Sequence, residues 1–129
     1  MDITKLNMAA RGNAGAWVEI KAPDGSPTDI RIHIRGARSD AVRQVVERHQ
    51  QAMAEAVRSK RPDFEALEKA RDSELATAAV IDWAGIEEDG QPMPCTPEKV
   101  RQLLTHPGYD WLAAQVFAAA QDAAVFLKP

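Results

Sequence analysis

The sequence predicts an α+β fold: an N-terminal two-stranded antiparallel β-hairpin followed by a small bundle of about four helices. Three observations carry this. Residues 16–21 and 29–35 each alternate apolar and polar side chains, and the segment between them, Ala22-Pro23-Asp24-Gly25-Ser26-Pro27, has turn chemistry. From Val42 to Ala56 apolar residues recur at i, i+3, i+4 and i+7, the spacing of one helix face. Beyond that, helix-starting and helix-stopping residues recur at Pro62-Asp63, Thr96-Pro97 and His106-Pro107-Gly108.

A chain of 129 residues suffices for one core but not two, so residues 1–129 are expected to form a single domain. Residues 1–14 lack periodicity and read as a loosely ordered arm. The hairpin occupies 15–36, a helical hairpin 39–83, a loop 84–95 and the C-terminal helices 96–127. Sixteen basic residues against nineteen acidic give a net charge of −3, which argues against a concentrated basic face for nucleic acid. One cysteine excludes an internal disulfide and a cysteine zinc site, and it fits a reducing compartment. No apolar run has the length of a signal core or a membrane span, so a soluble cytoplasmic protein is expected.

The hairpin can be tested by its side-chain pairing. Val18 opposite Ile32 and Ile20 opposite Ile30 put the aliphatics on one face. The same register sets Glu19 against Arg31, Lys21 against Asp29 and Trp17 against His33 on the other. A slip of one residue would turn the aliphatics outward. Two strands alone are marginal, so a helix, or strands from another subunit, must cover their apolar face.

Ser39 caps the first long helix, with Asp40 in its first turn and basic residues at its end near Ser59-Lys60-Arg61. Asp63 opens a second, running to Trp83, and the short break between them implies a helical hairpin. Thr96 caps a short third helix with Pro97 at its first position, and Cys95 and Val100 stand at hydrophobic-staple spacing. The last helix, Tyr109 to Leu127, is apolar nearly all round. Two readings stand for it: close packing within the core, or contact with a partner or second subunit. Trp83, Trp111, Val116, Phe117 and Phe126 are the candidate interface residues.

Nothing in the chain has the pattern of catalysis. His33, His49 and His106 show no metal-ligand spacing, and no cofactor or metal is expected. Cys95 has a complete structural explanation as a staple residue. Glu87-Glu88-Asp89-Gly90 lacks the alternating oxygen ligands of a calcium loop and reads as a solvated turn. Arg31, Arg35 and Arg38 with Trp17 and His33 suggest a small platform for single-stranded nucleic acid, but Glu19 opposite Arg31 offsets it.

One segment carries a resemblance. Ala78, Asp82-Trp83, Gly85-Ile86, Asp89-Gly90, Pro92, Pro94, Thr96-Pro97-Glu98, Val100 and Leu103-Leu104, then Pro107, Trp111, Gln115-Val116 and Phe126, follow the pattern of the tail assembly chaperones of long-tailed bacteriophages and prophages. The chain resembles that family over its C-terminal half. Relatives often carry an aromatic where Cys95 stands and Asn where Lys99 stands.

The resemblance implies a non-enzymatic factor that coats the tape-measure protein, helps the tail-tube protein polymerise around it, and leaves before the virion is finished. It would act in the bacterial host cytoplasm as a homo-oligomer, in some cases beside a frameshifted longer form of itself, with neither nucleic acid nor membrane as partner. A minor tail or tail-completion protein, and a small regulatory nucleic-acid-binding module, are the alternatives.

Overall fold

The computed structural model describes residues 1–128. A three-stranded antiparallel sheet has strand order β1-β2-β3, with β1 at Ala16–Lys21, β2 at Pro27–Ile34 and β3 at Val80–Ala84. Its apolar face contributes Ile20, Ile32, Ile34 and Trp83 to the core. Helices α4 (Pro97–Leu104), α5 (Asp110–Gln121) and α6 (Ala123–Leu127) supply Val100, Leu103, Leu112, Val116, Ala120 and Phe126 from the other side. Between β2 and β3 the chain leaves the body as a long helical hairpin, α2 (Asp40–Arg58) and α3 (Phe64–Ala79).

The α+β class and the N-terminal hairpin agree with the sequence. Trp17 lies opposite His33, Val18 opposite Ile32 and Glu19 opposite Arg31, as the side-chain pattern requires. The register then shifts, and Lys21 meets Pro27 rather than Asp29, so neither Ile20–Ile30 nor Lys21–Asp29 forms as a pair. Thr28 explains the bulge: its hydroxyl donates to the Ile20 carbonyl and accepts from the Ile30 N–H at 3.1 Å, taking the place of ladder bonds.

The third strand was expected to be helix. Val80 ends α3 with extended backbone angles, φ −100° and ψ 123°, and no glycine or proline separates helix from strand. The apolar spacing Leu75, Ala78, Ala79 runs on into Ile81, so a helical stripe continues across the boundary. The β-branched pair Val80-Ile81 was the available signal. Because β3 comes from the same chain, the hairpin gains its missing partner without a second subunit.

The described residues form six α-helices where about four were expected. Residues 1–14 are not a loose arm: a 3₁₀ turn at Ile3–Leu6 precedes α1 at Met8–Ala14. Gly12 of that helix packs against Gly36, where an added Cβ would lie 3.3 Å from the Gly36 Cα. The last helix is broken at Asp122, which takes φ −93° and ψ 105° and accepts from the Ala124 N–H to start α6. That break folds Phe126 back into the core.

Caps fall where the sequence puts them. Ser39, Asp63 and Thr96 accept from the backbone N–H of Val42, Ala66 and Lys99, respectively. Within 84–95 a minute hairpin, β4 (Glu87–Glu88) and β5 (Gln91–Pro92), turns on Asp89 and Gly90. Both take positive φ, 53° and 79°, as a two-residue type I′ turn demands.

Two substitutions test this packing. Gly85 has φ +82°, and an added Cβ would run into the Asp29 carbonyl of β2. Gly85→Ala should cost about 2–3 kcal/mol in urea denaturation. Val116 is wholly buried. Val116→Asp should abolish the cooperative thermal transition seen by circular dichroism, because an unpaired buried carboxylate costs several kcal/mol. Phe117→Asp, at a half-buried position, should weaken that transition without removing it.

Candidate interaction cleft

The segment that carries the resemblance closes on itself around one anchor. Trp83 is buried at the end of β3, and its indole N–H donates to the Met93 carbonyl at 2.8 Å. The Met93 N–H donates in turn to the Ile86 carbonyl at 2.9 Å. These two bonds hold the β4–β5 hairpin against the body and leave a cleft of about 630 Å³ between it, α4 and the start of α5.

The floor of the cleft is apolar, made by Ile86, Leu103 and Leu112 with the half-buried Ile30 and Met93. Tyr109 and Trp111 wall it on one side. Tyr109 is 42% exposed and lies against His106, the ring centroids 5.1 Å apart. His106 accepts from the Gly108 N–H at 2.9 Å, and the Trp111 indole donates to the Gly108 carbonyl at 3.1 Å, so the turn before α5 fixes both aromatics. Glu87, Glu88 and Asp89 rim the opposite side. Only Lys99, 3.8 Å from Glu88, offsets them. The rim is therefore net acidic over an apolar floor.

That composition suits binding. Cys95 is half-buried; burial pushes its thiol up from the ordinary value and the Asp82 carboxylate pushes it further. A thiol held protonated at neutral pH is a poor nucleophile. Among the described residues no group of three or more His, Cys, Asp or Glu is placed to hold a metal ion. No helix there is long and apolar enough to cross a membrane.

The five interface candidates do not form one patch. Trp83, Val116 and Phe126 are core residues, 7%, 0% and 6% exposed, and present no surface to a partner. Their apolar character is spent inside the chain, and the break in the last helix is what brings Phe126 there. Trp111 lines the cleft, while Phe117 lines a separate groove between α3 and α5 with Lys69, Asp72 and Ala113. Sequence reasoning missed Tyr109 and His106 as cleft residues. The aromatic pair bracketing Pro107-Gly108 and followed by Asp110-Trp111 was the only cue.

The outer face of the sheet holds a second feature. Trp17 stacks on His33 with centroids 4.9 Å apart and planes 14° from parallel, and the Arg31 guanidinium sits 5.7 Å from the Trp17 ring centre. Glu19 faces Arg31 across the strands, yet no ion pair joins them among the described residues. The guanidinium lies over the indole instead. Glu19 and the exposed Asp82, which pairs with His33, still put carboxylates around it.

The Cys95 environment is open to measurement. Thiol labelling at pH 8 should be slow in the wild type, and Asp82→Asn should speed it by removing a charge that disfavours the thiolate. An unchanged rate would mean that Asp82 does not act on the sulfur.

Against known proteins, the family described as YdaY prophage protein matches residues 35–128, which take in the whole of the chain from the end of β2 to α6. No curated protein and no solved structure matches. The cleft, apart from Ile30, and the helical hairpin both lie within the matched residues. The chain belongs to the YdaY prophage protein family.

Proposed function

We propose that this prophage protein is a tail assembly chaperone. It binds the tape-measure protein without catalysis while tail-tube protein assembles around that client, then departs in the host cytoplasm. One observation carries the reading: the residues of the chaperone-like pattern, from Gly85 through Leu103 to Trp111, fold together into an open, apolar, acid-rimmed cleft. A helical client offering apolar residues one turn apart, flanked by Lys or Arg, would lay its stripe on Ile86, Leu103 and Leu112 and its cations on the rim.

The expected strength agrees with a temporary partner. A cleft this open and shallow covers little apolar surface, so the gross hydrophobic gain, at about 25 cal/mol per Å², is modest. Much of that is lost to immobilising the client. A weak, reversible contact results, and many copies along one long client would add avidity.

Co-expression with the tape-measure protein of the same prophage tests this. The wild type should raise the soluble yield of that client and co-purify with it. Tyr109→Asp, at an exposed wall position, should cut capture about tenfold while keeping the fold. No gain in soluble client with the wild type would overturn the proposal. Finding the chain in purified virions by mass spectrometry would instead make it a tail component.

A nucleic-acid-binding module is the second reading, favoured by the Trp17–His33 stack with Arg31 above it. It requires a salt-dependent mobility shift of single-stranded DNA or RNA that Trp17→Ala removes. The platform lies outside the residues that match the family, and carboxylates surround it, so the chaperone reading stands first.

A further inference from the structure

The α2–α3 hairpin exposes an apolar seam along one edge of α2. From Val46 to Leu75 no residue is buried. α2 is buried only at Val42 and Val45 near its start, and α3 only at Ala76 and Ala79 near its end. The rest of each helix, about 15–20 Å at 1.5 Å per residue, has no buried residue, although Lys69, Asp72 and Ser73 of α3 line the groove against α4 and α5. Along α2, Val46, Met53 and Val57 recur at i, i+7 and i+11 and so share one edge of the apolar stripe. Val46 is 37% exposed and Val57 72%, and Phe64, the first residue of α3, is 40% exposed. Two antiparallel helices cover each other on one side only; four close a core.

Charge at the tip says what covers the seam. α2 ends on Arg58, and Lys60 and Arg61 follow in the turn; α3 starts after Asp63 and carries Glu65 and Glu68 in its first turns. Among the described residues no carboxylate lies within ion-pair distance of those three cations. Among the described residues, of these three anions only Glu65 has an ion-pair partner, Lys69 at 3.6 Å, on the exposed surface of its own helix. A cationic and an anionic half thus lie side by side on one tip. A uniformly basic or acidic partner would meet repulsion from one half, whereas an identical tip turned by a two-fold axis matches both. Packing α2 of one copy beside α3 of the other also keeps neighbouring helices antiparallel, with opposed dipoles.

We propose that this arm is a dimerisation element, in which two copies of the chain pack hairpin against hairpin as a four-helix bundle, enclosing Val46, Met53, Val57 and Phe64 of each. The cleft is not involved, so this stands or falls independently of the chaperone reading.

Light scattering after gel filtration of the full chain at roughly 100 µM, where a micromolar dimer is mostly formed, should give twice the chain mass. Val57→Glu with Phe64→Glu should give the single-chain mass with unchanged helical circular dichroism, since both residues are exposed in the monomer. Arg58→Glu with Arg61→Glu in one protein, and Glu65→Lys with Glu68→Lys in another, should each be monomeric. Mixing the two should restore a dimer, because each reversed α2 then faces a reversed α3. A wild type of single-chain mass, a dimer that survives Val57→Glu/Phe64→Glu, or a mixture that stays monomeric would each overturn the proposal.

Discussion

The indole N–H of Trp83, bonded to the Met93 carbonyl, is the contact on which the C-terminal half depends. It satisfies the one polar atom of a large side chain that the sheet buries, and an unsatisfied indole there would carry a desolvation penalty. In doing so it brings a polar, glycine- and proline-rich segment back onto the body. Ile86 and Met93 then become floor, and the acidic turn at Glu88-Asp89 becomes rim. Without that bond the segment keeps the buried Ile86 side chain and the Met93–Ile86 backbone bond, with a two-residue ladder and the Lys99–Glu88 pair on the surface.

The opposite edge of the sheet is managed in another way. Gln115 of α5 accepts from the Lys21 N–H and donates to the Lys21 carbonyl, both at 2.9 Å. A side-chain amide thus does the work of a neighbouring strand at the last residue of β1. An unpaired edge is a template for association, and this one is partly closed by the chain's own helix. The expectation that strands of other subunits complete the hairpin therefore loses its physical reason on both sides: β3 covers one edge of β2 and α5 blocks part of β1.

What was legible in the sequence was whatever local chemistry decides. Ser39, Asp63 and Thr96 cap helices because a short oxygen side chain before an apolar run has few better uses. The hairpin pairs Trp17–His33, Val18–Ile32 and Glu19–Arg31 follow from strict alternation. The misses came where tertiary context outweighs local pattern. Val80 turns from helix to strand because β2 offers a ladder, which no neighbour in sequence announces. Asp122 breaks an otherwise helical run because the break buries Phe126, and the run itself is alanine-rich and favours helix. Val116 and Phe126 are core rather than surface for a related reason: a helix apolar all round is as consistent with a two-sided core as with a partner. The cleft needed both hairpin and aromatics in place, and they lie far apart in sequence.

The placement of α2 and α3 between adjacent strands has a kinetic side. β2 and β3 must find each other across the whole intervening excursion, and the entropy of closing a loop rises with its length. A helical hairpin forms from contacts near in sequence, on a timescale well below that of distant strand pairing. Once formed, it delivers its two roots side by side, so that Arg35 can donate to the Ala79 and Ala78 carbonyls at 2.7 and 2.9 Å. The projecting element thus acts during folding as a clamp that shortens the effective loop, and its outer turns are left free to serve something else.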